Sequence, residues 1–235
     1  MTRGIRSRLA QVYGVEAEKC RIVQNATDVE HFKPLAKGIC QNLVGLGRKQ
    51  FHVGFIGSFQ PWVDFGTLLD AIRLLHSKDF PVHLTLVGNG LTQQDVRQNI
   101  EKRGMASAVQ LVGRVPHREV ATWIGAFDVC VEPSGDDYVQ EIGKSSMKLF
   151  EYMAGGRPIV ATALPGIEQT IKAAQCGLTY EPGDHRALAN HLTRLSENPE
   201  DRRRMGMRGR AYAVDHHSWS SVARRVEAIM DELAQ

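Results

Sequence analysis

The stretch from Ser145 to Thr162 carries the residues best suited to chemistry. It contains Lys148 and Glu151, three positions apart. In a helix that begins near Ser146, positions i and i+3 lie on one face, so the ammonium and the carboxylate point the same way. A lysine can neutralise a phosphate and a carboxylate can accept hydrogen bonds from two ribose hydroxyls, so the pair suits a nucleotide. The alternative is an ordinary surface ion pair worth under ~1 kcal/mol, and spacing alone leaves both readings open.

Glycine loops that follow predicted strands supply further candidates. Gly57 and Ser58 come after the first strand, where a glycine lets a phosphate approach closely and two backbone amides can donate to it. Gly88 follows the second strand, and Arg114 with Val115 follows the third. Ligands of parallel sheets bind at the carboxyl ends of the strands. These loops therefore predict one binding edge, although glycines at strand ends are also common without a ligand.

His117 lies in the third loop, just after Arg114. Its ring could stack on a base, and the Arg114 guanidinium could meet a phosphate or a base edge. The simpler interpretation is that both side chains are solvated.

Short apolar runs alternate with segments of helical period through the middle of the chain, which is typical of a parallel sheet covered by helices. The predicted strands are Phe51–Ile56, Val82–Val87, Val109–Val112, Asp128–Glu132, Pro158–Ala161 and Leu178–Tyr180. The predicted helices between and after them are Asp64–Ser77, Gln93–Arg103, Arg118–Ala126, Lys148–Ala154, Asp184–Glu197 and Ser218–Gln235. The sequence thus predicts an α/β fold, a doubly wound, Rossmann-like parallel sheet of about six strands with helices on both faces.

The beginning of the chain has a different pattern. It predicts a helix at Thr2–Tyr13, a short strand at Cys20–Val23 and a loose linker from Pro34 to Lys49. The arginine cluster from Arg202 to Arg210 has no interleaved aromatic residues to stack bases, so it is interpreted as a solvated helix face.

Composition excludes several classes of protein. A hydrophobic fraction of 43% and a charged fraction of 23% are those of a globular domain. A net charge of +3 is too small to indicate nucleic acid binding. The four cysteines are scattered without a CxxC pair, which favours buried thiols over metal ligands. With no apolar run of about 18 residues, we expect a cytoplasmic protein, at most peripheral to the inner face of the membrane.

The sequence Lys-Leu-Phe-Glu-Tyr-Met-Ala-Gly-Gly-Arg-Pro-Ile-Val-Ala-Thr, from Lys148 to Thr162, followed by Leu164–Glu168, closely resembles the nucleotide-sugar motif of glycosyltransferase family four. These are retaining enzymes of the two-domain GT-B fold. Gly54–Trp62 resembles that family's first phosphate loop, Leu86–Gly90 its second strand end and Val109–Pro116 its base loop. Gln24–Pro34 resembles the hinge that leads from the acceptor domain into the donor domain.

The resemblance implies a role for each matching residue. Glu151 would hold the ribose hydroxyls, Gly57, Ser58 and Lys148 would contact the diphosphate, and Arg114 and Val115 would contact the base. Gln60, Gly88 and Leu149 fall within the matching donor-binding segments. The family needs no metal or other cofactor, because positive side chains and helix amides take the charge of the leaving diphosphate.

The chain departs from the family pattern in the donor-sugar region. Many members carry a glutamate eight positions before the ribose-binding one, where this chain has Gly143. Glu141, Asp136 and Asp137 lie nearby, and Glu141 is the remaining weak candidate for a contact near the donor sugar. The first loop also lacks the usual basic residue and offers Gln60 instead.

The resemblance divides the chain into residues 1–34, a remnant of the acceptor domain and hinge, residues 35–213, a nucleotide-sugar-binding domain, and residues 214–235, a C-terminal helix. We expect a donor-binding part of a retaining hexosyltransferase-type enzyme that uses a UDP- or GDP-sugar in polysaccharide or glycolipid assembly. It would be inactive without an acceptor domain, which a partner protein could supply. The alternatives are a non-catalytic nucleotide-binding or regulatory subunit and another enzyme of the same fold, such as a nucleotide-sugar epimerase.

Overall fold

The computed structural model describes residues 2–78, 80–135 and 137–234. Its strands are β1 Phe51–Ile56, β2 Val82–Val87, β3 Val109–Gly113, β4 Val129–Glu132, β5 Ile159–Thr162 and β6 Gly177–Tyr180. They form one sheet in the order β3-β2-β1-β4-β5-β6, and every neighbouring pair is parallel. The predicted fold class is confirmed, and the six strands predicted between Phe51 and Tyr180 agree with the structure to within one residue at either end.

The helices are α1 Arg3–Tyr13, α2 Lys37–Val44, α3 Phe65–His76, α4 Gln93–Lys102, α5 His117–Ala126, α6 Asp137–Ile142, α7 Met147–Ala154, α8 Ile167–Ala174, α9 His185–Glu197, α10 Pro199–His217 and α11 Trp219–Leu233. A short 3-10 turn lies at Ala17–Lys19. Helices α3, α4 and α9 cover one face of the sheet, and α5, α7 and α8 cover the other, with α2 and α10 packed outside them. No helix within the described ranges is long and apolar enough to cross a bilayer.

The predicted linker from Pro34 to Lys49 is wrong in part, because helix α2 lies inside it. The helix buries Cys40 and Gln41, and the Gln41 amide donates to the carbonyl of Ala126 at 3.2 Å. A glutamine at a buried position breaks the apolar period by which a sequence reveals a helix, and it is tolerated there because its amide is hydrogen-bonded.

The predicted strand at Cys20–Val23 is also wrong. This segment runs irregularly after the Ala17–Lys19 turn and pairs with no strand in the described structure. Helix α10 runs continuously past residue 213 to His217, and Ser218 is the N-cap of α11. Helix α8 escaped prediction, although its buried positions Ile167, Thr170, Ile171 and Ala174 have helical spacing.

The arginine cluster on α10 is only partly a solvated face. Arg203 and Arg204 are exposed and pair with Glu200 and Asp201. Arg210 turns inward, and its Nη1 donates to the carbonyls of Val29 and Phe32 at 2.6 and 2.8 Å. This guanidinium therefore fastens the N-terminal segment to the domain.

His217 fixes the helix that carries Lys148 and Glu151. Its ring stacks on Phe150 of α7, with centroids 3.8 Å apart, and its Nδ1–H donates to the Asn25 carbonyl at 3.1 Å. Burial lowers the pKa of His217 to about 4, and the bond to Asn25 offsets only part of that shift.

We expect this histidine to make the fold sensitive to acid. The unfolded chain protonates His217 near pH 6.5 and the folded chain only near pH 4. The unfolded state thus binds more protons between those values, and stability falls as the pH is lowered through them. Urea unfolding at pH 7.5 and pH 5 checks this: His217→Phe should lose less stability between the two pH values than the parent protein or the exposed neighbour variant His216→Phe. An equal loss in all three proteins would contradict the assignment.

Candidate functional site

The carboxyl edge of the sheet has its switch point between β1 and β4. These strands are neighbours, and the chain winds outward from them in opposite directions, which opens a crevice above their carboxyl ends. Gly57 leaves β1 at this crevice and Glu132 ends β4 there. The crevice is the place where a doubly wound sheet binds its ligand.

A cavity of about 200 Å³ lies beside the switch point, over the ends of β1, β2 and β3. Its lining brings together several predicted site residues and their neighbours: Ile56, Gly57, Ser58, Val87, Gly88, Asn89, Arg114, Val115 and Val120. Drug-sized ligands occupy roughly 300–1,000 Å³. The cavity therefore suits one flat part of a ligand, such as a base, rather than a whole nucleotide sugar.

The structure alters the predicted role of Gly57. Its amide donates to the Val87 carbonyl at 3.0 Å, so it is already engaged and not free for a phosphate. A Cβ at Gly57 would lie 2.8 Å from Cε of Lys148 and 2.9 Å from its Nζ. The glycine thus provides the space in which the lysine ammonium lies, and within the described residues the Ser58 amide is left without a hydrogen bond.

Gly88 brings the first two loops together. Its φ is +131°, and a Cβ there would overlap the carbonyl oxygen of Gly57. Its amide donates to the Gly113 carbonyl at 2.8 Å. Only a glycine permits this contact between backbones.

We expect Gly88→Ala to cost about 2 kcal/mol or more of the free energy of unfolding, because it adds a backbone clash to an unfavourable φ. Gly104→Ala is the matched control, since Gly104 also has a positive φ, +66°, but open space where its Cβ would stand. The control should lose only the ~1–2 kcal/mol of the left-handed backbone. Thermal unfolding of both variants measures the difference, and equal losses would show that the contact with Gly57 is unimportant.

Helix α7 presents its amino end to the crevice without a side-chain cap. Its N-cap residue is Ser146, whose hydroxyl donates instead to Oε1 of Glu132 at 3.3 Å. The first-turn amides, including that of Leu149, have no partner within the helix and attract negative charge. The Leu149 side chain is buried in the core, so only its backbone is placed to contact a ligand.

Lys148 crosses the crevice from α7 to the Gly57 loop. Its Nζ lies 3.4 Å from Oε2 of Glu132 and 4.4 Å from the ring centroid of Phe55. Its side chain is 15% exposed. Burial lowers the pKa of Lys148, and Glu132 opposes that shift.

Glu132 is a charged residue of the site that sequence reasoning missed. Its side chain is 0% exposed, and Oε1 accepts a hydrogen bond from Nζ of Lys144 at 2.7 Å. Burial alone would raise the pKa of Glu132, but Lys148 and Lys144 outweigh it and hold the pKa below its ordinary value. The signal in the sequence was a glutamate closing an otherwise apolar strand.

Glu151 lies one helical turn after Lys148, as the spacing predicted. Burial raises the pKa of its half-buried carboxyl, and Lys148 and His31 oppose the shift. Among the described residues no group donates a hydrogen bond to this carboxylate. An acceptor without a protein donor, beside a cation, is suited to ligand hydroxyls.

The remaining candidates lie apart from this cluster. The Glu141 side chain is 60% exposed and pairs with Arg8 at 3.2 Å, so its contact with a donor sugar stays a prediction. Gln60 is half-buried in the first loop. Asp136 and the side chain of Asp137 lie outside the described residues. His117 is not simply solvated, because its ring stacks on that of His31 with centroids 5.2 Å apart.

Gly143 stands where the family resemblance led us to expect a glutamate, and the backbone there suits a glycine. It has a φ of +72°, and a Cβ there would overlap the carbonyl oxygen of Pro165. A side chain at this position would strain the backbone and displace the loop before α8. The local backbone therefore disfavours a glutamate at this position.

A doubly wound sheet with an uncapped helix amino end and a carboxylate at its switch point is the architecture of the C-terminal, nucleotide-binding half of a GT-B glycosyltransferase. The family model described as "Glycosyl transferases group 1" matches residues 50–198. The chain belongs to this family.

Known proteins agree with this assignment. A D-inositol 3-phosphate glycosyltransferase from Thermobispora bispora is 23% identical over 233 residues, which are 95% of this chain and 53% of that protein. Sucrose-phosphate synthase from Thermosynechococcus elongatus has the same fold, with a TM-score of 0.83 and 22% sequence identity. The match covers 99% of this chain and 57% of the synthase chain. Anabaena Alr3699/HepE, solved with UDP and glucose, has a TM-score of 0.82 and 20% sequence identity, and the match covers 98% of this chain and 61% of that protein. The chain thus spans about half the length of the curated relatives it matches.

Proposed function

We propose that the chain is the donor-binding part of a retaining glycosyltransferase that uses a UDP- or GDP-sugar and a polysaccharide or glycolipid acceptor. The observation that carries the proposal is Glu151, a half-buried carboxylate with no hydrogen-bond donor among the described residues, one turn from Lys148 at the switch point. A ribose on Glu151 would place the diphosphate towards Lys148. The solved complexes of Anabaena HepE with UDP and with UDP-glucose support a donor of this class.

The residues at the crevice would act on the leaving group. As the bond between sugar and diphosphate breaks, negative charge grows on the diphosphate, and the Lys148 ammonium and the α7 amides are fixed where they can stabilise it. The proposal needs no metal ion, because these groups supply the positive charge. The chain spans about half the length of the relatives it matches, and we propose that these residues bind the donor but transfer little without an acceptor domain.

Titration calorimetry with UDP and GDP tests the proposal. We expect at least one of them to bind with a dissociation constant below about 1 mM. The variant Glu101→Gln, on the exposed face of α4, should bind like the parent protein. Absence of measurable heat with either nucleotide at millimolar concentration would refute the proposal.

A second candidate is a non-catalytic nucleotide-binding or regulatory subunit, which Gly143 favours because the donor-sugar carboxylate of many family members is absent. Its nucleotide binding would be the same. Co-expression with an acceptor-domain protein distinguishes the two: release of nucleoside diphosphate and transfer to an acceptor support the enzyme, whereas binding without turnover in the complex supports the subunit.

A further inference from the structure

Two lysines share one buried carboxylate at the switch point. Lys144 donates to Oε1 of Glu132 at 2.7 Å and to Oγ of Ser134 at 3.1 Å, while Lys148 lies 3.4 Å from Oε2. The lysine side chains are 18% and 15% exposed, and the carboxylate is 0% exposed. The buried Glu132 carboxylate thus holds both ammonium groups at the crevice.

The two lysine ammonium groups have more N–H donors than the protein has acceptors near them. Each ammonium carries three N–H donors. Lys148 meets Glu132 only at 3.4 Å and otherwise faces the Phe55 ring. Apolar residues of similar volume often stabilise a fold as well as a buried ion cluster does. Stability alone therefore gives little reason for two lysines and a glutamate at this place.

The two lysines supply positive charge that the first loop of the site lacks. The first loop, Gly57–Asp64, contains no basic residue, and the Gly57 amide donates to the Val87 carbonyl. Lys144, in the loop before α7, and Lys148, in the first turn of α7, supply two cations instead, and the Lys148 ammonium lies directly against Gly57. The positive charge of the site therefore comes from the second half of the sheet.

We propose that Lys144 is a second cationic contact for the donor diphosphate, held beside Lys148 by Glu132. The inference rests on the proposed nucleotide-sugar function and extends it. One ammonium suffices for a single phosphate, whereas two adjacent ammonium groups match the two phosphates of a nucleoside diphosphate. The site would thus select donors linked through a diphosphate over donors linked through a single phosphate.

Calorimetry with nucleoside diphosphates and monophosphates, UDP with UMP and GDP with GMP, tests the role of Lys144. We expect Lys144→Met to weaken diphosphate binding by about tenfold or more, as for loss of a charged hydrogen bond. Monophosphate binding should change by less than about threefold. Lys144→Arg should retain most of the diphosphate affinity. The control is Lys172→Met, which removes an exposed lysine paired with Glu168 on α8.

The double variant Glu132→Gln with Lys144→Met guards against a folding defect, since it removes the buried anion together with one cation. It should show the same loss of preference for the diphosphate. Suppose that the parent protein binds a diphosphate and that Lys144→Met binds it equally well. The inference is then wrong and the proposed function stands. If Lys144→Met does not fold, the double variant takes its place in this comparison. If the parent protein binds neither UDP nor GDP, both are wrong.

Discussion

Replacing Glu151 by glutamine is expected to weaken nucleotide binding by about 1.5 to 3 kcal/mol, roughly 10- to 150-fold in the dissociation constant. The carboxylate can accept hydrogen bonds from both ribose hydroxyls, while the amide is neutral and offers one acceptor oxygen. Titration of Glu151→Gln with UDP and GDP, beside the control Glu101→Gln, measures the loss. An unchanged affinity would remove Glu151 from the site.

Two further readouts separate a ribose contact from a general loss of affinity. The parent protein should prefer a ribonucleotide to its 2′-deoxy analogue, and Glu151→Gln should lose most of that preference. The pKa of Glu151 is raised, so binding to the parent protein should begin to fall at a higher pH than for an ordinary glutamate as the solution is acidified. This step should be missing from the binding profile of Glu151→Gln.

Replacing Glu132 by glutamine is expected to cost about 3 kcal/mol of the free energy of unfolding. The change leaves two largely buried ammonium groups beside each other without their common anion, and breaking a buried ion pair at one partner is strongly destabilising. Urea unfolding compares Glu132→Gln with Glu168→Gln, which loses only an exposed pair with Lys172 and should cost under ~1 kcal/mol.

A charge-free site tests the physical cause of that loss. Combining Glu132→Gln with Lys144→Met and Lys148→Met removes the unbalanced cations, so part of the lost stability should return. If the triple variant is as unstable as Glu132→Gln or less stable, poor packing rather than uncompensated charge would explain the effect.

The centre of the sheet was predictable because β1, β2, β4 and β5 are buried on both faces and are largely apolar in succession. Thus β1 and β2 were predicted with the bounds that the structure shows. Helix α2 was not predictable in the same way, since Gln41 occupies a buried position and is accepted through one hydrogen bond to Ala126. The helical period of α8 was visible in the sequence.

The site was predictable where function depends on local spacing. Lys148 and Glu151 lie on one face of α7 because they are three positions apart along a helix. Glu132 and Lys144 were missed because their meeting depends on how the loop before α7 passes the end of β4, which no local pattern encodes. The hydrogen bond from the Gly57 amide to the Val87 carbonyl was missed for the same reason, because it depends on the pairing of neighbouring strands.

A crystal structure of the chain with bound UDP or GDP, whichever binds more tightly, tests the central claim most directly. The account predicts the ribose hydroxyls on Glu151, the base in the cavity beside Arg114 and Val115, and the diphosphate between Lys148 and the amino end of α7. A nucleotide bound at another place, with the Glu151 carboxylate facing solvent, would contradict it.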